Sequence, residues 1–164
     1  MNEAYLIWKT AHIVSAAVLF GTGLGIAFFA WFGYRRAMKT DAIEGLKTVL
    51  HLTILADLCF TTPAVIFQAV SGLVLMHLDG VPLLAPWSVT VFVLYTAVGA
   101  CWLPVVWVQV AMEREARAAD AIGDLSLRFH RRFTLWFVLG VPAFLLVLWL
   151  YYLMVSRSAP FTVG

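Results

Sequence analysis

Four stretches of the chain are long enough and apolar enough to cross a lipid bilayer, and together they take up most of its 164 residues. They run from Tyr5 to Tyr34, Gly45 to Leu78, Pro86 to Met112 and Phe133 to Val155. A span needs roughly 20 mostly apolar residues, and each run meets that length. None carries the one-sided charge pattern of a soluble amphipathic helix. Charged residues make up 12% of the chain and hydrophobic ones 63%, whereas soluble domains are about 25% charged. Both a water-soluble globular fold and intrinsic disorder are therefore excluded. The first run is expected to be a span and not a cleavable leader. Glu3 precedes Lys9, no basic segment opens the chain, and the run exceeds the apolar core of a signal peptide.

The connections predict the orientation. Arg35, Arg36, Lys39 and Lys47 lie in the first, and Arg114, Arg117, Arg128, Arg131 and Arg132 in the third, which leaves only Lys9 and Arg157 among the basic residues. The connection 79–85 has no Lys or Arg. By the positive-inside rule, segments 35–47 and 113–132 are cytoplasmic, and both termini face outward. The expected protein is all-α, a four-transmembrane-helix bundle forming one domain over residues 1–164, multi-pass in the plasma (inner) membrane. The sequence MEREARAADA favours extension of the third helix beyond the bilayer, with Gly123 as a break. Trp8, Trp31, Trp87, Trp107 and Trp149 near the run ends suit interfacial belts. A net charge of +2, with basic residues in short clusters, argues against nucleic-acid binding. Cys59 and Cys101 fall inside apolar runs and imply neither a disulfide framework nor a metal motif.

Polar residues inside the runs are the candidates for chemistry, since such groups face protein or a cavity and not lipid. His12 and His77 belong to the outer halves of different helices, at roughly the common depth that two imidazole ligands of a b-type haem iron require; the alternative is that His12 hydrogen-bonds a neighbouring helix and His77 ends its own. Met76 and Met154 are alternative partners for His12. His51 and His130 form an inner pair beside basic residues, where interfacial histidines in water are the plainer reading. Asp57 is the one acid inside a run. With Thr61 and Gln68 it defines a possible polar track along the second helix, either a proton or quinone route or an interhelical hydrogen-bond cluster. Gln109 and Tyr95 are possible partners in both cases. Gly21 and Gly25 have the GxxxG spacing of close helix packing. Pro63, Pro104 and Pro142 should kink their helices or free a carbonyl.

The segments YLIWKTAHIV and FGTGLG, then FTTPAVIFQAVSGL, WLPVVWVQV and RRFTLWFVLGVPAF with LYYLMV, resemble the CopD-like group of four-helix membrane proteins. The fuller likeness, over nearly the whole chain, is to that group's family of predicted integral membrane proteins of unknown function. A more distant one is to the HemJ-type protoporphyrinogen oxidases. The HemJ likeness lies in the K-x-x-H start of helix one and the Pro…Gly spacing of helix two, and it implies haem b binding with His12 important. HemJ-type enzymes also carry a lysine shortly after the tryptophan that opens helix three. Here Trp87 is followed by SVTVF, which departs from that pattern. The resulting expectation is haem-linked electron transfer or oxidoreduction, with a quinone or porphyrin as a possible partner and a homodimer as a possible assembly. The alternatives are a small transporter or copper-handling protein, and a non-catalytic subunit or assembly factor.

The predicted orientation has a direct check. Single cysteines placed at Thr40 and Asp120, in a background lacking Cys59 and Cys101, should react with an impermeant maleimide only after the cytoplasmic face is opened. Reaction in intact cells would reverse the assignment.

Overall fold

The computed structural model describes residues 3–156, whose regular secondary structure is all helical, with four helical segments long and apolar enough to span a membrane. Helix α1 is Glu3–Thr40, and α4 and α5 are Pro86–Ala118 and Leu127–Ser156. The second span, Ile43–Leu78, is built from α2 (Ile43–Ala56), a π-helical turn (Asp57–Thr61) and α3 (Thr62–Leu78). At 38 residues, α1 is about 57 Å long and outruns a hydrocarbon core of roughly 30 Å. Its last turns, with Arg35, Arg36 and Lys39, therefore project from one end of the bundle. We call this the basic end. As the sequence predicts, α4 also continues past its apolar run, although it stops at Ala118, and Gly123 lies in a 3₁₀ turn at Ile122–Asp124.

Local chemistry accounts for the helix ends. Asp41 turns the chain after α1 at a φ of 53°, a left-handed conformation that Asp tolerates better than bulkier residues. Gly80, at φ 67°, terminates α3. Val81 N–H donates to Met76 O at 2.9 Å beside it, the wide bond of a Schellman end. Pro86 opens α4, where its missing N–H costs nothing. Ser126 caps α5 by accepting from Phe129 N–H at 3.2 Å. Ser126 is itself held by Glu115, which also pairs with Arg132 at 3.0 Å, so α4 and α5 are clasped together at the basic end.

The three prolines behave differently. The helices run on through Pro104 and Pro142. Before Pro63 the helix widens instead, and Thr62 N–H bonds to Asp57 O, five residues back. A proline ring crowds the carbonyl four residues earlier, and a π-helical turn relieves that crowding by inserting a residue into the ladder.

Packing is uneven along the bundle. The core near the basic end is continuous and includes Ala30, Ala37, Leu46, Leu50, Met112, Ala116 and Phe129. Stacked rings reinforce it, with Tyr34 and Phe133 centroids 3.9 Å apart. Tyr34 also bonds His130 Nδ1 at 2.7 Å. Large apolar side chains such as Ile7, Phe29, Val93 and Val138 point outward, as lipid-facing residues do. Toward the opposite end, α1 packs on α3 through Trp8 against Phe67 and Ser15 against Ala64 O, while α4 meets α5 through Trp87 and Leu153 O.

The close approach of α1 and α2 depends on Gly33, not on the GxxxG pair. A Cβ at Gly33 would sit 2.8 Å from Val49 Cγ2, whereas Cβ atoms at Gly21 or Gly25 would meet nothing within 4 Å. Gly33→Ala should therefore destabilise the solubilised protein by about 1–3 kcal/mol, the usual cost of overpacking. Gly21→Ala should cost nothing. Thermal unfolding in detergent checks both, and equal effects would refute this packing account.

Candidate functional site

The packed half of the bundle gives way, near mid-length, to a cavity of about 350 Å³ bounded by all four spans. That volume is in the range of small-molecule sites. Its walls are almost wholly apolar and include Phe20, Val98, Trp102, Phe137 and Phe144. Gly23, Gly99 and Gly140 enter from three different helices. A Cβ at any of them would meet no atom within 4 Å, so these glycines border open space. Tyr95 and Tyr151 close the end farther from the basic residues. Tyr95 donates to Val65 O at 2.6 Å, and Tyr151 donates to Ala16 O, so each ring ties its helix to a neighbour.

The floor is polar. Asp57, Thr61, Gln109 and Trp136 line it, and all four are more than nine-tenths buried. Thr61 and Gln109 are the polar side chains facing the Asp57 carboxyl. Yet Thr61 Oγ1, Gln109 Oε1 and Trp136 Nε1 are buried with no hydrogen-bond partner. An unsatisfied buried polar group costs about 1–3 kcal/mol, and in a bilayer no water is at hand to relieve it. Three such atoms converge on one hollow.

The π turn brings Asp57 and Thr61 to this floor together, but it separates them from Gln68. At uniform α-helical pitch, Gln68 would return to nearly the same face as Asp57. The extra residue in the turn shifts the phase of everything after it. Gln68 instead faces α1, where its Nε2 donates to His12 O at 2.7 Å. Gln68 is absent from the cavity lining. The track expected from spacing thus divides into a cavity floor and an α1–α3 contact.

His12 belongs to that contact. Its Nδ1 lies 2.7 Å from Ser71 Oγ, and Ser71 Oγ lies 2.6 Å from Phe67 O. A carbonyl only accepts, so the single Ser71 proton goes to Phe67 O. Ser71 must then accept from His12, which places the proton on Nδ1 and leaves the lone pair on Nε2. The edge of the ring lies against Gly72. His77 is exposed at the end of α3, six residues beyond Ser71, hence about 9 Å farther along the axis and on a different face. The structure does not bring the two imidazoles to one iron.

Neither His nor Met nor Cys lines the cavity, and both tyrosine hydroxyls there are engaged. Its residues do not fit a haem, which needs an axial donor of one of those types. Met76 is buried in α3 and Met154 is exposed on α5. Among the described residues no three His, Cys, Asp or Glu side chains cluster in a way that could hold a metal ion. His51 and His130 do not pair, since His51 contacts Glu113 and Arg117 whereas His130 contacts Tyr34.

Sequence reasoning named Asp57, Thr61, Gln109 and Tyr95, but it missed Trp136, Gly99 and Gly140. A mid-run glycine in each of three apolar stretches was the available signal. The family model described as "Predicted integral membrane protein (DUF2269)" matches residues 6–158. The chain belongs to this family, which is the one its sequence resembles most fully. No curated protein and no solved structure matches it.

The orphaned polar atoms lead to an unusual expectation. Thr61→Val and Gln109→Leu should leave the ligand-free protein as stable as the parent or more so, because each removes an unmet polar atom. Ser71→Ala should destabilise it by about 1–3 kcal/mol by stranding the His12 Nδ1 proton. Melting curves in detergent test the contrast, and a large loss in both floor variants would show that those atoms do have partners.

Proposed function

We propose that this member of the family binds a lipophilic small molecule with a compact polar head, of the quinone or quinol type, inside the membrane. The observation that carries the reading is the convergence of three unsatisfied polar atoms on the floor of an otherwise apolar cavity. Trp136 Nε1 only donates, Gln109 Oε1 only accepts, and the Thr61 hydroxyl does either. A ring bearing carbonyl or hydroxyl oxygens answers all three. The apolar walls suit a ring face and the start of a prenyl or alkyl tail.

Access is from the lipid. Leu24 on α1 and Val141 and Leu145 on α5 line the cavity and are also more than half exposed. The rim between these helices thus reaches the bilayer, and a tail leaving there stays in hydrocarbon. Asp57 gives the head a neighbour that can take or supply a proton. Electron transfer or oxidoreduction in the membrane is the role such a site serves.

Haem remains a second reading on one observation only, the His12 tautomer. Its Nδ1 is held by Ser71, which directs the Nε2 lone pair as a partner behind a ligating histidine does. An absorption spectrum of protein expressed with haem supply decides it. A Soret band lost in His12→Ala supports this reading, and a colourless protein removes it.

Quinone binding is tested by fluorescence. Trp102 and Trp136 flank the cavity and are two of the seven tryptophans. Decylubiquinone or menadione added to protein in nanodiscs should quench a saturable part of the emission. Gly99→Leu, which fills the hollow, should abolish the saturable part. Asp57→Asn and Gln109→Leu should weaken binding roughly 10-fold, the worth of about 1.4 kcal/mol. Quenching that is linear and unaffected by Gly99→Leu would reflect partition into lipid and contradict the proposal.

A further inference from the structure

The cavity floor has titratable neighbours in a continuous line on one side only. Toward the opposite end the cavity meets Val65, Val98, Val147 and Leu150, and the Tyr95 and Tyr151 hydroxyls there donate to backbone carbonyls. Toward the basic end the polar character continues. Thr53 lies one turn before Asp57 on the same face of α2 and is 4% exposed. Glu113 lies one turn beyond Gln109 on the same face of α4 and is 8% exposed. The two faces meet where α2 packs on α4.

Glu113 connects this line to the surface. It accepts from Arg117, and its Oε1 lies 3.5 Å from Nδ1 of His51. The side chains of His51 and Arg117 are 55% and 59% exposed, against 11% for Glu113. A buried carboxylate thus sits just inside a water-exposed rim formed by His51 on α2 and Arg117 on its own helix, with His51 Nδ1 accepting from Arg117 at 3.1 Å. A line of acids and histidines within a membrane is how proton paths are generally built.

We propose that Glu113, Thr53 and Gln109 form a proton path joining Asp57, and through it the cavity, to water at the basic end alone. A proton passes from water at this rim to the Glu113 carboxylate, since His51 Nδ1 accepts from Arg117 and has no proton to give. From there it crosses to an Asp57 carboxylate oxygen over water admitted transiently from the basic end, past the Thr53 hydroxyl and the Gln109 amide. Each gap along a helix is four residues, about 6 Å of rise, which one transient water spans. Only O–H bonds are made and broken, so the proton that leaves Glu113 arrives at Asp57. The path deepens the reading of the cavity as a quinone site, because a head group that changes its proton count needs such a supply. It is measured without ligand, however, so the two readings fail separately.

The test is infrared spectroscopy of ligand-free protein in nanodiscs during transfer from H₂O to D₂O. Asp57→Asn identifies the carboxylic C=O band of Asp57, and the rate at which that band shifts reports proton exchange. Glu113→Gln should slow the shift on the order of a hundredfold, the low end of what a positioned proton-transfer group contributes, and Glu113→Asp should restore it. Thr53→Val should slow it while the melting temperature is unchanged, which keeps the test valid if Glu113→Gln does not fold. Tyr151→Phe, at the other end of the cavity, should leave the rate unaltered. A rate indifferent to Glu113 and Thr53, a rate governed by Tyr151, or the lack of any protonated band lost in Asp57→Asn would each overturn the proposal.

Discussion

Hydrocarbon offers a polar side chain no water, so each must find a partner within the protein. That constraint organises this bundle. Three polar regions answer it differently. At the basic end, Glu113 and Glu115 are surrounded by His51, Arg117, Ser126 and Arg132. Between α1 and α3, His12, Gln68 and Ser71 satisfy one another or the backbone. At mid-length, Thr61, Gln109 and Trp136 retain unmet capacity. The last is where the fold bears a cost that it could have avoided with Val, Leu and Phe.

The same region is where packing fails. Aromatic stacking and small-residue contacts fill the half nearer the basic end. Glycines on three helices leave a hollow beyond it. Helix association in lipid depends on close contact, for there is no hydrophobic drive between spans. A void of this size therefore forfeits contacts that would hold the helices together. The tyrosine bonds from α4 to α3 and from α5 to α1 tie the walls around that void. Hollow and unmet polar atoms coincide, and the bound molecule proposed above would account for both.

Much of the architecture was legible in the sequence because it follows from sums over many residues. The four spans follow from apolar run length, and the helical extension of α4 from its good helix formers. The site was legible only in part. Asp57 and Thr61 stood out as polar residues within an apolar run, but their expected companion Gln68 was lost at the π turn. A helical wheel assumes uniform pitch, and Pro63 breaks that assumption one turn upstream of itself. His12 and His77 looked level when counted along separate helices, yet the pairing of His12 with Ser71 sets their offset. Gly21 and Gly25 matched a packing motif, while the contact fell to Gly33. Which face of a helix meets which neighbour is a property of the assembled bundle, and local spacing does not carry it.

The central claim is that the cavity is an occupied site in the membrane. Native mass spectrometry of protein released from its own membranes tests it most directly. The account predicts one small lipophilic molecule retained per chain, identifiable after extraction as a compound with a hydrogen-bonding ring head, and absent from Gly99→Leu. Protein that emerges bare, or with phospholipid retained equally by parent and variant, would contradict it.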